Sequence, residues 1–518
     1  MMVQGYLPEC YTKGCKSKPG TERAIALTKL SYSKESMSHL NYLEILQNGL
    51  PPSNLAPKNI VIIGAGIAGL MAGLLLKEAG HNVTILEAHK RLGGRILTYR
   101  DFAGKMYGEF GAMRFPRQHP LGQYLINKKF KLPTQPFPIY DEDTFIHLQG
   151  KSVRRKDFHP NQFDFNLPQH EANKTPEQLL QNAVQPLIDI VKNENKELAW
   201  QHLVRDFDQY SLIGYLKWRG LSDAALSLLG SVLNLESRYH FSLVEWFTHY
   251  YEDVFGDLVY ITDGADSLPK AFEAYLMDNI RMGSQVCAIE QTDHQVVIFF
   301  QTTPGFAQSI TADECIITIP FVLLRHLEIN GLDPAKWSAI RNSYYGRAHK
   351  IFMQFSDRWW EKKYEITHGV TITDLAIRQV VYTPAGQDHR YQKGVIIASY
   401  GWEQDSMAYS PLSEEQRVTQ ALEDLVKIHP EAKDTFEFGV SYDWSLDAFA
   451  GGIGPLFRPY EMSSQFYLDL IRPVNRIWFA NDACDRSHRR WIEGSLRAAI
   501  KNAYALHIGM RNELPGKD

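Results

Sequence analysis

The sequence predicts an α/β protein: a Rossmann-like dinucleotide-binding domain built from discontinuous segments, with a mixed-sheet domain and a helical domain inserted. Three observations carry this. A glycine-rich turn at residues 64–69 follows a strand and opens a helix, and the next strand ends in an acid, Glu87. A matching strand-to-helix unit lies far downstream, over residues 476–507. Between the two the pattern passes from strand and loop to a long helical stretch and back to strands, without an internal repeat.

Taken in order, residues 1–55 form an N-terminal extension. It ends in a helical pattern of Leu43, Ile45, Leu46 and Leu50, closed by Pro51-Pro52. Asn59–Ile63 (NIVII) carries a continuous β-branched run, Ile60 to Ile63, as suits a buried parallel strand. Gly66–Ala79 reads as a helix and Asn82–Glu87 (NVTILE) as the second strand. Residues 130–170, mixing aromatics, prolines and charges, suit strand and loop. From Thr175 to Tyr250 apolar residues recur at three and four, with Pro176 in the first helical turn. Strand-like alternation returns at Val286–Phe300 and Glu314–Ile319. Lys350–Phe355 and Gly394–Tyr400 look like strands of a second sheet. Leu412–Ile428 is helical, Arg476–Ala480 a strand, and Trp491–His507 a helix.

Composition excludes several classes. Lys and Arg total 55 against 59 acids, a net charge of -4, so no basic face for nucleic acid is expected. Five cysteines (Cys10, Cys15, Cys287, Cys315, Cys484) form no disulfide framework and no CxxC pair. The 18 histidines include no HExxH, so no metal is expected. The start, MMVQGYLPECYTKGC, lacks the apolar core of a signal peptide, and glycines interrupt the longest apolar run, Val61–Leu76. The expectation is a cytoplasmic enzyme without a membrane span, with leaderless export left open. The sequons at Asn82 and Asn173 are discounted accordingly.

In the turn Gly64-Ala65-Gly66-Ile67-Ala68-Gly69, Gly64 allows the tight bend and Gly66 lets the backbone approach a pyrophosphate. Gly69 lets helix and strand pack closely. The helix N-terminus offers free N–H groups to phosphate, and Glu87 can accept from ribose hydroxyls. NAD and FAD share this fingerprint. The stretch Arg91-Leu-Gly-Gly-Arg95 follows, with an arginine able to reach a second phosphate, and GEFGAMRFP (108–116) adds a glycine-bearing turn ending in Arg114.

These stretches, together with ITDGADSLP, HKIFMQF and IWFANDACDRSHRRWIEGSLRAA, resemble the flavin amine oxidase superfamily, in its L-amino acid oxidase branch. The resemblance runs from about Lys58 to Ala505 and implies a GR2-type FAD-binding domain. It assigns 56–100, 258–320 and 470–510 to that domain, 101–155 and 321–469 to substrate binding, and 156–257 to the helical domain. FAD would be held without a covalent bond by Gly64, Ala65, Gly66, Gly69, Glu87 and Arg95. Gly111, Ala112, Met113 and Arg114 would lie beside the isoalloxazine, Val286 would meet the adenine, and Asp482, Trp491 and Ile492 would complete the site. Asp482 stands where the family usually has glutamate, and Cys484 does not match the position of a flavin-linked cysteine.

For catalysis the resemblance implies that Arg114 and Tyr400 bind the substrate carboxylate, as a planar guanidinium does bidentately. Lys350 would hold a water against flavin N5, and Trp491 would wall the substrate cage. The implied reaction is oxidative deamination of an L-amino acid with dioxygen, giving a 2-oxo acid, ammonia and hydrogen peroxide, in an enzyme the family suggests is a homodimer. A decarboxylating 2-monooxygenase, a monoamine or polyamine oxidase, and a redox-silent flavoprotein binding module are the alternatives. Two departures bear on selectivity. Arg490 stands where the family has Gly or Ala, and Ser231 where some relatives carry a pocket histidine. The cluster Arg486, Arg489 and Arg490 resembles a solvated face. Within it Arg490 is expected to turn inward, repelling basic side chains, while Arg489 serves the solvent.

Overall fold

The computed structural model describes residues 40–252, 255–303 and 305–510. Cys10, Cys15, the first fifteen residues and most of the 1–55 extension therefore lie outside the described residues. Of the extension's predicted helix, Tyr42–Asn48 is helical, with the Asn41 side chain accepting from Glu44 N.

The dinucleotide-type core is a five-stranded parallel sheet. Its order is Ile280–Arg281, Asn82–Leu86, Asn59–Ile63, Glu314–Ile317, Ile477–Phe479. Ile60, Val61, Ile62 and Ile63 are all buried, which accounts for the unbroken apolar run. The helices Ile67–Glu78 and Ile492–Ile508 share one hydrophobic cluster with this sheet. Glu314, fully buried at its strand start, is held by Lys58 Nζ at 3.0 Å and Trp478 Nε1 at 3.1 Å.

A seven-stranded, mostly antiparallel sheet forms the second layer. Its order is Phe436–Asp443, Ala348–Phe355, Gly394–Trp402, Gln379–Val381, Val370–Thr373, Phe145–Leu148, Lys151–Arg154. In it Lys350 pairs directly with Tyr400. Along the chain, helices follow Lys151–Arg154, among them Pro176–Asn193, Asp223–Leu233 and Leu243–Tyr251. Thr175 and Gln178 cap the first of these reciprocally, and Pro176 occupies its first turn.

The predicted strand-like stretch Val286–Phe300 is a hairpin of two strands, Gln285–Gln291 and Val296–Thr303. Thr292 Oγ1 accepts from His294 N and Gln295 N and so turns the chain. Leu258–Ile261 pairs with Phe115–Pro116 and Thr134–Pro136 in a small sheet of its own. Among the described residues no helix is long and apolar enough to cross a membrane.

Candidate active site

A cavity of about 1140 Å³ opens at the carboxyl ends of the parallel strands, where Gly64, Glu87, Thr318 and Asp482 line it. Ligands of open α/β sheets bind in that crevice. The volume slightly exceeds the upper range usual for one drug-sized ligand, roughly 1,000 Å³.

The glycine turn is built for close approach. Gly64 has φ +101°, and a Cβ on Gly69 would stand 2.0 Å from Gly64 O. A Cβ on Gly66 would meet nothing within 4 Å, so the backbone faces open space there. Gly66 caps the helix Ile67–Glu78 without any side-chain hydrogen bond, which leaves first-turn N–H groups for a ligand. Glu87 sits at the wall, its two oxygens accepting from Ala65 N at 2.7 Å and His89 N at 2.8 Å. Each oxygen keeps a further acceptor site for ribose. Arg95 and Asp482, both lining the cavity, grip each other bidentately at 2.5 and 3.0 Å. Val286 and Ile492 line the cavity as well.

The second glycine turn is joined to the mixed sheet by Lys350. Its Nζ donates to Glu109 O and Gly111 O, each at 2.8 Å, and Trp444 Nε1 donates to Phe110 O at 2.9 Å. A Cβ on Gly111 would fall 2.0 Å from Arg95 O, so glycine is required. Lys350 is 4% exposed, and burial, with the charge of Arg114, lowers its ammonium pKa to about 7. Glu109, buried beside it, is raised to about 7, chiefly by the same loss of water. Lys350 Nζ lies 5.2 Å from the Tyr400 ring centre.

Ala112, Met113, Arg114, Tyr400 and Trp491 all line this cavity. The Arg114 guanidinium stands 5.0 Å from the Phe255 ring centre and 5.9 Å from that of Phe137. Among the described residues, no carboxylate lies within ion-pair distance of it. Burial lowers the Arg114 pKa, and it raises that of Tyr400 against the opposing pull of Arg114. Trp491 caps the helix Ile492–Ile508 and packs edge-on against His119 at 5.3 Å.

Two expectations need correction. Arg489 does not serve the solvent: it is fully buried, 5.4 Å from the Phe457 ring centre and hydrogen-bonded to Arg486 O. The cluster is therefore no solvated face. Arg490 does turn inward, but Glu245, itself fully buried, pairs with it at 2.8 Å and offsets part of its charge. Ser231 is absent from the cavity wall; the following residues Val232, Leu233, Asn234 and Leu235 line it instead. On the helix Asp223–Leu233 each step rotates about 100°, so neighbouring positions face different ways.

A family model of the flavin-containing amine oxidoreductases matches residues 67–507. The chain belongs to this family. It is 33% identical over 490 residues to an L-amino-acid oxidase of Siganus canaliculatus, covering 92% of this chain and 91% of that one. An L-amino acid oxidase of Bothrops pictus is 30% identical over 485 residues, covering 91% and 94%. Among solved structures, putrescine oxidase bound to putrescine superposes with a TM-score of 0.72 at 18% identity, covering 88% of this chain and 99% of that chain. Cyclohexylamine oxidase from Brevibacterium oxydans gives 0.69 at 19%, covering 88% and 100%. The open space above Gly66 and the glycine-only contacts at Gly69 and Gly111 suit the flavin nucleotide this amine oxidoreductase family carries.

Sequence reasoning missed several wall residues of this amine oxidoreductase. Trp402 lies two residues beyond Tyr400 on the same strand and so on the same face, a signal the period of two could have supplied. Arg238, His249 and His119 have no such local signal. Arg238 lies 4.0 Å from the Trp402 ring centre. His249 Nε2 faces Arg489 O at 3.1 Å, and its Nδ1 faces Arg490 Nη2 at 3.3 Å.

Proposed function

We propose that this amine oxidoreductase is an FAD-dependent L-amino acid oxidase, converting its substrate to a 2-oxo acid, ammonia and hydrogen peroxide. The observation that carries the reading is Arg114: a half-buried guanidinium in the cavity, acting electrostatically on Tyr400, with no carboxylate within ion-pair distance among the described residues. An amine substrate has no use for such a cation, whereas an α-carboxylate pairs with it. The names of the relatives point the same way.

The flavin, when bound, would supply the hydride acceptor for the substrate Cα–H and the route of the electrons to dioxygen. The chain's own groups orient and manage protons. Arg114 and Tyr400 fix the carboxylate, and Trp491 walls the cage. Lys350, lowered to about 7, is largely neutral at slightly alkaline pH. A neutral amine has two N–H groups, which match its two carbonyl acceptors, and its lone pair remains to take the substrate's ammonium proton, directly or through a water. The Arg95–Asp482 pair would hold the flavin's phosphate and ribityl side, and Glu87 the adenosine ribose. The flavin is held without a covalent bond in this reading. The domain limits given above belong to this proposal too.

Product analysis tests the reading. Purified protein given a panel of L-amino acids should release peroxide and ammonia and form no amide. Amide and CO2 would establish the monooxygenase instead, and turnover of simple amines alone would refute a role for Arg114.

A further inference from the structure

Arg238 closes the short turn Glu236–Arg238 and lines the cavity that holds Arg114, Tyr400 and Lys350. Its guanidinium lies over Trp402, 4.0 Å from the ring centre, and its Nη1 is buried without a hydrogen-bond partner. The acids around it are each engaged elsewhere. Glu236 pairs with Arg378 at 3.0 Å and Glu245 with Arg490 at 2.8 Å. Glu403 accepts from Tyr344 Oη at 2.6 Å and Arg347 N at 2.9 Å. Among the described residues no carboxylate comes within ion-pair distance of Arg238. Burial, then the nearby Arg490, lowers its pKa to about 10.

The cavity thus carries two guanidiniums, Arg114 and Arg238, that no described carboxylate reaches within ion-pair distance; Glu245 and Glu403 act on Arg238 only from further off, and both guanidiniums act electrostatically on Tyr400. Keeping an unpaired cation out of water is costly, and a ligand charge offsets that cost. The α-carboxylate of an amino acid satisfies one of the two. We infer that the substrate is a dicarboxylic amino acid, whose side-chain carboxylate seats on Arg238 against Trp402 while its α-carboxylate seats on Arg114 and Tyr400. This rests on the oxidase reading for the α-carboxylate end. A neutral amide in place of the side-chain acid would leave Arg238 unpaired, and a lysine side chain would be repelled.

The test uses the flavin-loaded enzyme. Glutarate and valerate, carbon chains of equal length that cannot be oxidised at an amine, are titrated against flavin absorbance. Peroxide formation is measured with L-glutamate, L-aspartate, L-glutamine, L-asparagine and L-lysine. Glutarate should bind at least tenfold more tightly than valerate, and an acidic amino acid should exceed its amide at least tenfold in kcat/KM. In Arg238→Met, which keeps a long apolar stem over Trp402, both ratios should collapse toward one. Equal binding of glutarate and valerate to the wild type overturns the inference without any variant, as do acid-to-amide ratios that stay unchanged in Arg238→Met. If no amino acid yields peroxide while glutarate still binds more tightly, the oxidase reading fails and the paired anion site stands.

Discussion

Replacing Lys350 with methionine should change how stability depends on pH. The wild-type amine titrates near 7 rather than 10.5, a shift that corresponds to roughly 5 kcal/mol against the buried ammonium at about 1.4 kcal/mol per unit. Below about pH 7 that penalty is full, because the native state must hold the charge out of water. It fades as pH rises toward 10.5, where the unfolded chain also releases its proton. Between pH 7 and pH 9 the wild type should therefore recover about 2 kcal/mol. With an unfolding entropy of roughly 2 cal/mol/K per residue, that is a Tm change of about 2 °C for a chain of this length. Methionine carries no such proton. The Tm of Lys350→Met minus that of the wild type should fall by about 2 °C from pH 7 to pH 9, measured by calorimetry at one scan rate. An offset that stays constant across those two units would refute both the depressed pKa and the base assigned to it.

Four further outcomes are expected. The kcat/KM for an amino acid should rise with pH through about 7 in the wild type, and Lys350→Met should keep its flavin and lose that limb; an identical profile in both would remove Lys350 from proton transfer. Arg114→Leu should lower kcat/KM by roughly a hundredfold or more while the flavin stays bound, as expected when a charge-assisted pair worth several kcal/mol is broken; steady-state kinetics near wild type would contradict it. Gly69→Ala, whose methyl would press on Gly64 O, should yield colourless protein; a wild-type flavin-to-protein absorbance ratio would count against the cradle. Arg490→Gly relieves a backbone at φ +65°, worth about 1–3 kcal/mol, but strands buried Glu245, which costs about 3–5 kcal/mol. Its Tm should fall, and Glu245→Gln should restore it; a single variant as stable as wild type would show the pair to be energetically idle.

The cofactor side of the site was legible because its chemistry constrains the backbone. Gly64, Gly69 and Gly111 are glycines for reasons of conformation and contact that act within a few residues, and Glu87 follows from strand length. Lys350 stood out as a cation inside an apolar strand, and its partner Tyr400 lies directly across the ladder. The far wall was not legible. Arg238, Glu245 and His249 come from helices and turns whose facing depends on how they pack, and Ser231 misses the cavity although its neighbours reach it. Arg489, expected in solvent, is buried, whereas Arg490, expected to turn inward, lines the cavity. The left-handed backbone at Arg490 re-aims the chain there, and the sequence carries no mark of it.

The parallel sheet joins Asn59–Ile63 to Glu314–Ile317 and, beyond that, to Ile477–Phe479. On the ribosome the glycine turn and one neighbouring strand, Asn82–Leu86, are made early, but the strand on its other side, Glu314–Ile317, and the closing strand Ile477–Phe479 follow much later. Until then the helix Ile67–Glu78, apolar along ten successive buried positions from Ile67 to Leu76, lacks the helix Ile492–Ile508 that packs against it. Pairings of such long sequence separation form slowly and leave sticky surface exposed meanwhile. Biosynthesis, more than the finished enzyme's stability, is then where this architecture is vulnerable, and a truncated nascent chain ending before residue 477 should depend on chaperones to stay in solution.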